Sequence, residues 1–406
     1  MAKLTEYTEA LQLVLANTRK IKTIAVDLSD SLGYFLAQNI FANSDLPRFT
    51  SSAADGYIVK MDDVKDANED NPITLPLKGE IKAGDFSKVK LKRGETYRIL
   101  TGAPIPQGAE SVVMKEFTNQ NGDKIIFKTS TKHGDNVRYK GEEFKKGDKA
   151  IATNTFISPA VVGLLATFGI RKVKVFQKPK VAVLVTGNEL VQIDKKIKPG
   201  QIYDSNFYTL SSALKEMDID AINLGIAKDD KNDLLKKISV GLESADILLV
   251  SGGISVGEYD YVQDIFDELR VKKIFWRIAM KPGKPTYFGV KGKKLVFGLP
   301  GNPVASLLVF SRLVEPAIQK VMGKLEHKPI ILFARLEHDL KKRSKRLEFV
   351  RAKLNTTENG ELTVSATKGQ DSHMLGGMVE ANCLIYFPME MELLNKGTKV
   401  KVELIH

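Results

Sequence analysis

The stretch DILLVSGGISVGEYDYV, Asp246 to Val262, decides the fold. Its first half, Ile247, Leu248, Leu249 and Val250, is an uninterrupted apolar run, the pattern of a parallel strand covered on both faces. Gly252, Gly253 and Gly257 follow at once, so a bound group can approach the backbone closely. Open α/β sheets bind ligands beyond the carboxyl ends of their strands, where free N–H groups and a helix N-terminus favour anions. Glu258 and Asp260 are out of place beside an anion unless a metal ion lies between them and it.

Outward from this stretch, residues 178 to 327 repeat one alternation. VAVLVTG leads to a helix predicted at 205–217, AINLGIA to a helix at 230–243, and ILLVSGG to the glycines. IFWRIAM and LVFGLPG add strands before a helix from about 303 to 322. The expected fold is a doubly wound, mostly parallel α/β domain. Before it, apolar positions Tyr7, Leu11, Val14 and Leu15 predict a helix within 5–21, and a second amphipathic stretch from Ser29 to Ile40 predicts another. From about 46 to 150, short alternating segments broken by Pro and Gly read as a β-rich module. Ser158 and Pro159 open a further helix. From Pro329 on, IILFARL, LEFVRAKL, LTVSATK, CLIYFP and KVKVELI predict a small C-terminal β domain.

Four strand ends in the α/β section carry polar residues where a ligand is expected: Thr186 to Glu189, Asp229 and Asp230, Ser251 to Asp260, and Lys281 to Lys284. Singly, Glu189 reads as an acid balancing a helix dipole, Asp229 as a turn or cap residue and Asp260 as a first-turn acid. Together they form a set able to hold Mg²⁺, which keeps its waters and takes one or two carboxylates plus substrate phosphates. MKPGKP, Met280 to Pro285, stiffens a turn between two lysines, which suits a small oxyanion. LPGNP, Leu299 to Pro303, is a second rigid turn whose N–H groups can face an anion. On residue type alone, Asp55 and Thr101 sit in ordinary turns, Arg351 is a strand-surface charge and Ser372 a loop hydroxyl.

At 406 residues the chain exceeds the size of a single core, and no apolar run approaches the roughly 20 residues of a membrane span. No signal-peptide core opens it, so the expectation is a cytoplasmic protein without membrane partners. The lone Cys383 excludes an internal disulfide and, with five histidines, any Cys/His zinc cluster; it is expected in a core. The net charge of +12 favours anionic partners, but only 13 of the 61 basic residues are arginine, the residue that nucleic-acid readers lean on. Lys341 to Arg346 is the best nucleic-acid candidate, with a solvated face as the plainer reading. Neither a Walker A motif nor G-x-G-x-x-G is present.

SAADGYIV, LTGAPIPQGAESVV, VLVTGNEL, GQIYDSN, SGGISVGEYDYV, MKPGKP, LPGNP and QDSHML occur in the order and spacing of the molybdopterin molybdenumtransferases. The chain resembles this MoeA family, which includes the gephyrin E domain, over nearly its whole length. The resemblance implies an elongated homodimer of four-domain subunits. On this chain the domains are residues 1–22 with 178–327 (α/β, molybdopterin-binding), 23–45 with 138–177 (linker and dimerisation), 46–137 (β-rich module) and 328–406 (C-terminal β). It implies Mg-dependent cleavage of adenylylated molybdopterin, release of AMP and insertion of molybdenum from molybdate. By motif, Glu189, Asp229 and Asp260 would lie near Mg²⁺ and the substrate phosphates, and Lys281, Lys284, Arg351 and Ser372 would hold molybdate. Gly252, Gly253, Ser255, Gly257, Pro300, Gly301 and Asn302 would line the substrate. Asp55 and Thr101 would complete the cleft from the partner subunit.

The implied partners are a molybdopterin adenylyltransferase upstream and molybdoenzyme chaperones downstream, with no nucleic acid. The alternative is a gephyrin-like scaffold without turnover. Three positions depart from the family pattern: Ala305 replaces a common Ser, Asn188 a frequent Asp, and Asp371 a frequent Gly.

Overall fold

The structure, a computed structural model, describes residues 4–86, 88–255 and 261–405. It forms two compact units, one of Met1–Ala37, Asn154–Gly163 and Arg171–His406, the other of Gln38–Thr153 and Leu164–Ile170. Among the described residues no helix is long and apolar enough to cross a membrane.

In the first unit a six-stranded sheet runs in the order Ala221–Ala227, Val181–Thr186, Ile247–Ser251, Lys294–Leu299, Tyr287–Lys291, Lys272–Trp276. The first four strands are parallel, and Tyr287–Lys291 runs against its neighbours on both sides. Alternate residues of the apolar runs enter different cores. Val181, Val183, Val185, Ile247 and Leu249 pack with Tyr7, Leu210, Leu214 and Leu308. Ala182, Leu184, Leu248 and Val250 pack with Leu234, Ile238, Leu242 and Phe266. A strand covered on both sides needs apolar residues at every position, which is why these segments lack the period-two pattern of a half-exposed strand.

The C-terminal strands Leu347–Thr356, Leu362–Ala366, Ile331–Leu336, Lys399–Leu404 and Cys383–Phe387 pair in a closed ring. Closure leaves the small domain without a free sheet edge within the ring. Cys383 lies in its core, and burial pushes the thiol up to about 11. Met280–Lys281, between two strands of the α/β sheet, pairs in parallel with Leu347–Thr356.

The N-terminal helix Tyr7–Asn17, the long helix and the ring meet at a buried charge. Pro303–Val309 and Glu315–Val321 are joined by a π-turn, Phe310–Val314. Arg312 on that turn forms an ion pair with Glu403, both side chains almost fully buried, and Tyr386 Oη donates to the same carboxylate. Tyr7 and Tyr386 lie edge-on to Phe349 at 5.2 and 4.9 Å. Burial pushes the Tyr7 hydroxyl up to about 12.

The second unit carries a six-stranded sheet ordered Ser111–Met114, Gly56–Val59, Thr96–Ile99, Ile73–Ile81, Lys124–Phe127, Thr118–Asn121. Two hydrophobic clusters, around Tyr57 and Phe127 and around Ile58 and Ile99, fill its two sides.

Two sequence expectations are corrected. Ser29 to Ile40 is not a helix: after a 3₁₀ turn at Leu28–Asp30, Gly33 takes a φ of +81° and the chain extends. Leu36 N–H and Ala37 N–H then donate to Thr155 O and Lys174 O at 3.0 and 2.9 Å, so tertiary backbone bonding replaces the local turns. Lys341 to Arg346 is not a solvated face throughout. Lys342 is buried, its ammonium on the carbonyls of Arg346, Phe387 and Pro388, and Arg346 Nη1 donates to Met280 O at 3.1 Å. Two of the five basic residues in this run thus serve the fold.

Candidate functional site

From Val181–Thr186 the sheet extends to Ala221–Ala227 on one side and Ile247–Ser251 on the other, so the strand order reverses there and a crevice opens past the strand ends. The chain turns sharply at Gly252 and Gly253, with φ of +100° and +60°. A Cβ at Gly252 would stand 2.5 Å from Thr186 O, and one at Gly253 3.0 Å from Thr186 Oγ1. Only glycine lets these two strand ends come so close. Beyond them lies a cavity of about 590 Å³.

Its walls come from the strand ends and one loop of the C-terminal domain: Thr186, Gly187 and Glu189; Asp204 to Asn206; Asp229; Gly252 to Ser255; Pro300 to Pro303; and His373. The Glu189 carboxylate folds back over Gly187, where an added Cβ would meet both its oxygens at 2.8 Å. Asp229 accepts from Thr186 Oγ1 and from Asn188 N–H, each at 3.2 Å, while Asn188 Oδ1 accepts from Asp229 N–H at 3.2 Å. Asp230 is the helix cap, receiving Asn232 and Asp233 N–H at 3.0 Å, which frees Asp229 to reach across to the neighbouring strand. Asn188 keeps the acceptor an Asp would offer while adding no charge.

Under the floor, Asn206 Nδ2 donates to Ser251 Oγ at 2.9 Å and Gly301 O at 2.7 Å. Ser251 Oγ donates to Pro300 O at 3.2 Å and lies 3.4 Å from Ser306 Oγ. The hydroxyl beside Ala305, that of Ser306, thus lies against the Ser251 hydroxyl under the floor, and Ala305 itself is buried. Asn302 Nδ2 donates to Ser372 Oγ at 2.8 Å, and Ser372 O accepts from Val304 N–H, which ties the C-terminal loop to the LPGNP turn.

Of the residues singled out from the sequence, Glu189, Asp229, Gly252, Gly253, Ser255, Pro300, Gly301 and Asn302 line one cavity. Gly257, Glu258 and Asp260 lie outside the described residues. Lys281 and Lys284 do not line the cavity, although Pro285 of the same turn does. Lys281 pairs with Glu348 at 3.2 Å. Arg351 is corrected from a strand-surface charge to a wholly buried one, 0% exposed. Its Nη2 donates to the carbonyls of Gly369 and Asp371, and Nε and Nη1 have no hydrogen-bond partner. Asp371 holds its backbone carbonyl toward Arg351 and is itself exposed, so the extra acid adds charge at the surface.

Asp55 and Thr101 belong to the second unit. Thr101 N–H and Oγ1 both donate to Asp55 Oδ1, at 2.8 and 2.7 Å, which holds the Asp55 carboxyl below its usual range. Thr101→Val removes the hydroxyl donor only. The Asp55 titration, followed by carboxyl NMR, is expected to move upward yet stay below that of an unbonded aspartate. A depressed native pKa contributes stability above the ordinary carboxylate range and loses it as pH falls through the native value, so the variant's contribution fades at higher pH. An unmoved titration refutes the bond's role.

Asp204, Asn206 and His373 were not among the site candidates. Asp204 is 6% exposed, and burial pushes its carboxyl up against the opposing bonds from Phe207 and Asn206 N–H. The available signals were the motif GQIYDSN, which contains both Asp204 and Asn206, and Asp-Ser at the start of the helix Asn206–Glu216, a capping pattern. His373 lies in the motif QDSHML beside Ser372, and only Ser372 of that motif is among the site candidates.

Among the described residues no group of three or more His, Cys, Asp and Glu could hold a metal ion. Glu189 and Asp229 place two carboxylates on one cavity wall, a donor type that suits Mg²⁺, which needs few protein ligands when it keeps water and substrate phosphates.

The chain is similar in sequence and in shape to known proteins. Residues 5–169 match the MoeA N-terminal region (domain I and II), 182–320 the probable molybdopterin binding domain, and 334–405 the MoeA C-terminal region (domain IV). The molybdopterin molybdenumtransferase of Haemophilus influenzae is 35% identical over 384 residues, 94% of either chain. That of Nostoc sp. is 35% identical over 387 residues, 94% of this chain and 88% of the other. The crystal structure of the molybdopterin biosynthesis MoeA protein of Pyrococcus horikoshii matches with a TM-score of 0.84 and 30% identity, covering 99% of this chain and 100% of that one.

Proposed function

The chain belongs to the molybdopterin molybdenumtransferase (MoeA) family, transferases of molybdenum cofactor biosynthesis, and on that premise we propose that it inserts molybdenum from molybdate into adenylylated molybdopterin, with Mg-dependent cleavage of the pyrophosphate link and release of AMP. The observation that carries this reading is the convergence of Glu189, Asp229, Gly252, Gly253 and the LPGNP turn on one cavity past the strand ends.

The residues divide the work by charge. The sharp turn at Gly252 and Gly253 brings backbone close to a substrate phosphate. Glu189 and Asp229, with Asp260 by motif, would hold Mg²⁺. When bound, the ion offsets charge gathering on the pyrophosphate as it breaks. Lys281, Lys284 and Arg351 bring fixed positive charge to a tetrahedral dianion, with Ser372 adding a hydroxyl. The Arg351 environment supports this role, because two unpartnered guanidinium nitrogens are an expensive arrangement for a purely structural residue. Cationic donors and carboxylates therefore act on different parts of one reaction, and no acyl or glycosyl nucleophile is needed.

A cytoplasmic homodimer is part of the same proposal, with a second copy's Asp55 and Thr101 completing the cleft. The helix Pro159–Thr167 supports a partner copy: it carries no charged residue and its only polar side chain is the terminal Thr167, yet only Leu165 is buried. The adenylyltransferase upstream and molybdoenzyme chaperones downstream are its implied partners, and the four-domain division given above stays with it. AMP release from adenylylated molybdopterin, with molybdate and Mg²⁺ each present or omitted, tests the reading. Release that requires both is the expected result. A folded, dimeric protein that releases none returns the chain to the scaffold alternative.

A further inference from the structure

Lys281 has a partner that the transfer chemistry does not call for. The parallel register sets Met280 beside Leu347 and Lys281 beside Glu348, and the ammonium lies 3.2 Å from Glu348 Oε1. The two ends are unequally free. The Glu348 side chain is 11% exposed and also receives Ser344 Oγ, whereas Lys281 is 45% exposed on a long flexible stem. The surroundings of Glu348 are basic: Lys342 and Arg346 are held nearby by backbone carbonyls, and Glu348 opposes the downward push that burial gives both. A carboxylate thus fixed cannot follow Lys281 when the lysine moves.

We propose that Glu348 is a built-in competitor for Lys281, and that it sets the concentration at which a tetrahedral oxyanion takes the lysine over. This rests on the oxyanion role given to Lys281 in the proposed function and adds a positioning residue to it. The oxyanion must displace a carboxylate already at contact distance, and its double charge lets it do so once it is abundant enough. A scarce or singly charged anion is left without its lysine. The site is thereby tuned for threshold as well as affinity, because half-exposed pairs of this kind are weak enough to exchange.

The test uses the full chain, calorimetric titration with sodium molybdate, and the molybdate dependence of AMP release. Glu348→Gln is expected to lower the dissociation constant and the half-saturating molybdate by about three- to fivefold, the range that a partly exposed ion pair supports. Structural damage would move both the other way. In a Lys281→Ala background the same change is expected to do nothing. Unchanged or weaker binding in Glu348→Gln overturns the proposal, as does a gain that persists without Lys281. Should Glu348→Gln fail to fold, Glu348→Met carries the same expectation and the same refutation. A wild-type protein that never releases AMP, while the calorimetric gain in Glu348→Gln stands, sinks the transferase reading and supports the role of Glu348.

Discussion

Gly252→Ala is expected to lower stability by about 3 kcal/mol or more and to reduce AMP release to background. Two causes add. The residue has a φ of +100°, where an L side chain is strained, and the new methyl would sit 2.5 Å from Thr186 O, a backbone atom unable to rotate away. Retreat is blocked on the other side, because Gly252 N–H is bonded to Leu299 O at 3.0 Å. Relief therefore means parting two adjacent strand ends, and those ends frame the cavity. Gly292→Ala supplies the control. Its φ is +61° with nothing within 4 Å of the added carbon, so it bears strain alone, about 1 kcal/mol. Denaturant midpoints for the two variants separate collision from strain. Equal midpoints with activity retained in Gly252→Ala would show that the close approach does not shape the site.

Arg351→Met is expected to leave the fold standing and to cut molybdate-dependent AMP release about 100-fold or more. The side chain is wholly buried and two of its nitrogens have no partner, so its removal takes away a desolvated charge along with the bonds to Gly369 and Asp371. Those losses and gains oppose each other, and replacement of buried charge by an apolar side chain of similar length is often close to neutral. A net change within about 2 kcal/mol is the expected result. Molybdate should raise the melting temperature of the wild-type protein and not that of the variant, because a ligand stabilises only the state that binds it. A variant that is still stabilised by molybdate would remove Arg351 from the oxyanion site.

The α/β sheet and the cavity glycines were legible because both follow from local rules. Ile247 to Val250 is apolar at every position because both faces are covered, and Gly252 and Gly253 are needed wherever backbone must pass Thr186 at close range. Arg351 was misread because alternation along a strand says nothing of a loop that later closes over it; Gly369 and Asp371 belong to such a loop. Lys342 failed for a related reason, since two of its three carbonyl partners, those of Phe387 and Pro388, lie more than forty residues away. The helix predicted across Ser29 to Ile40 failed because its amphipathic spacing is also met by an extended chain bonded to Thr155 and Lys174. In each case the deciding contact is remote in sequence, where residue pattern carries no information.

The buried pair of Arg312 and Glu403 has a consequence for how the protein is made. The arginine lies on the long helix of the α/β domain, and its carboxylate arrives on the strand Lys399–Leu404. A ribosome delivers the helix first, so throughout synthesis of the intervening ring the guanidinium has to stay wet, and the α/β domain cannot take its final packing around Tyr7. A chain cut short before residue 399 lacks that carboxylate, and the Arg312 guanidinium is left without its buried ion-pair partner.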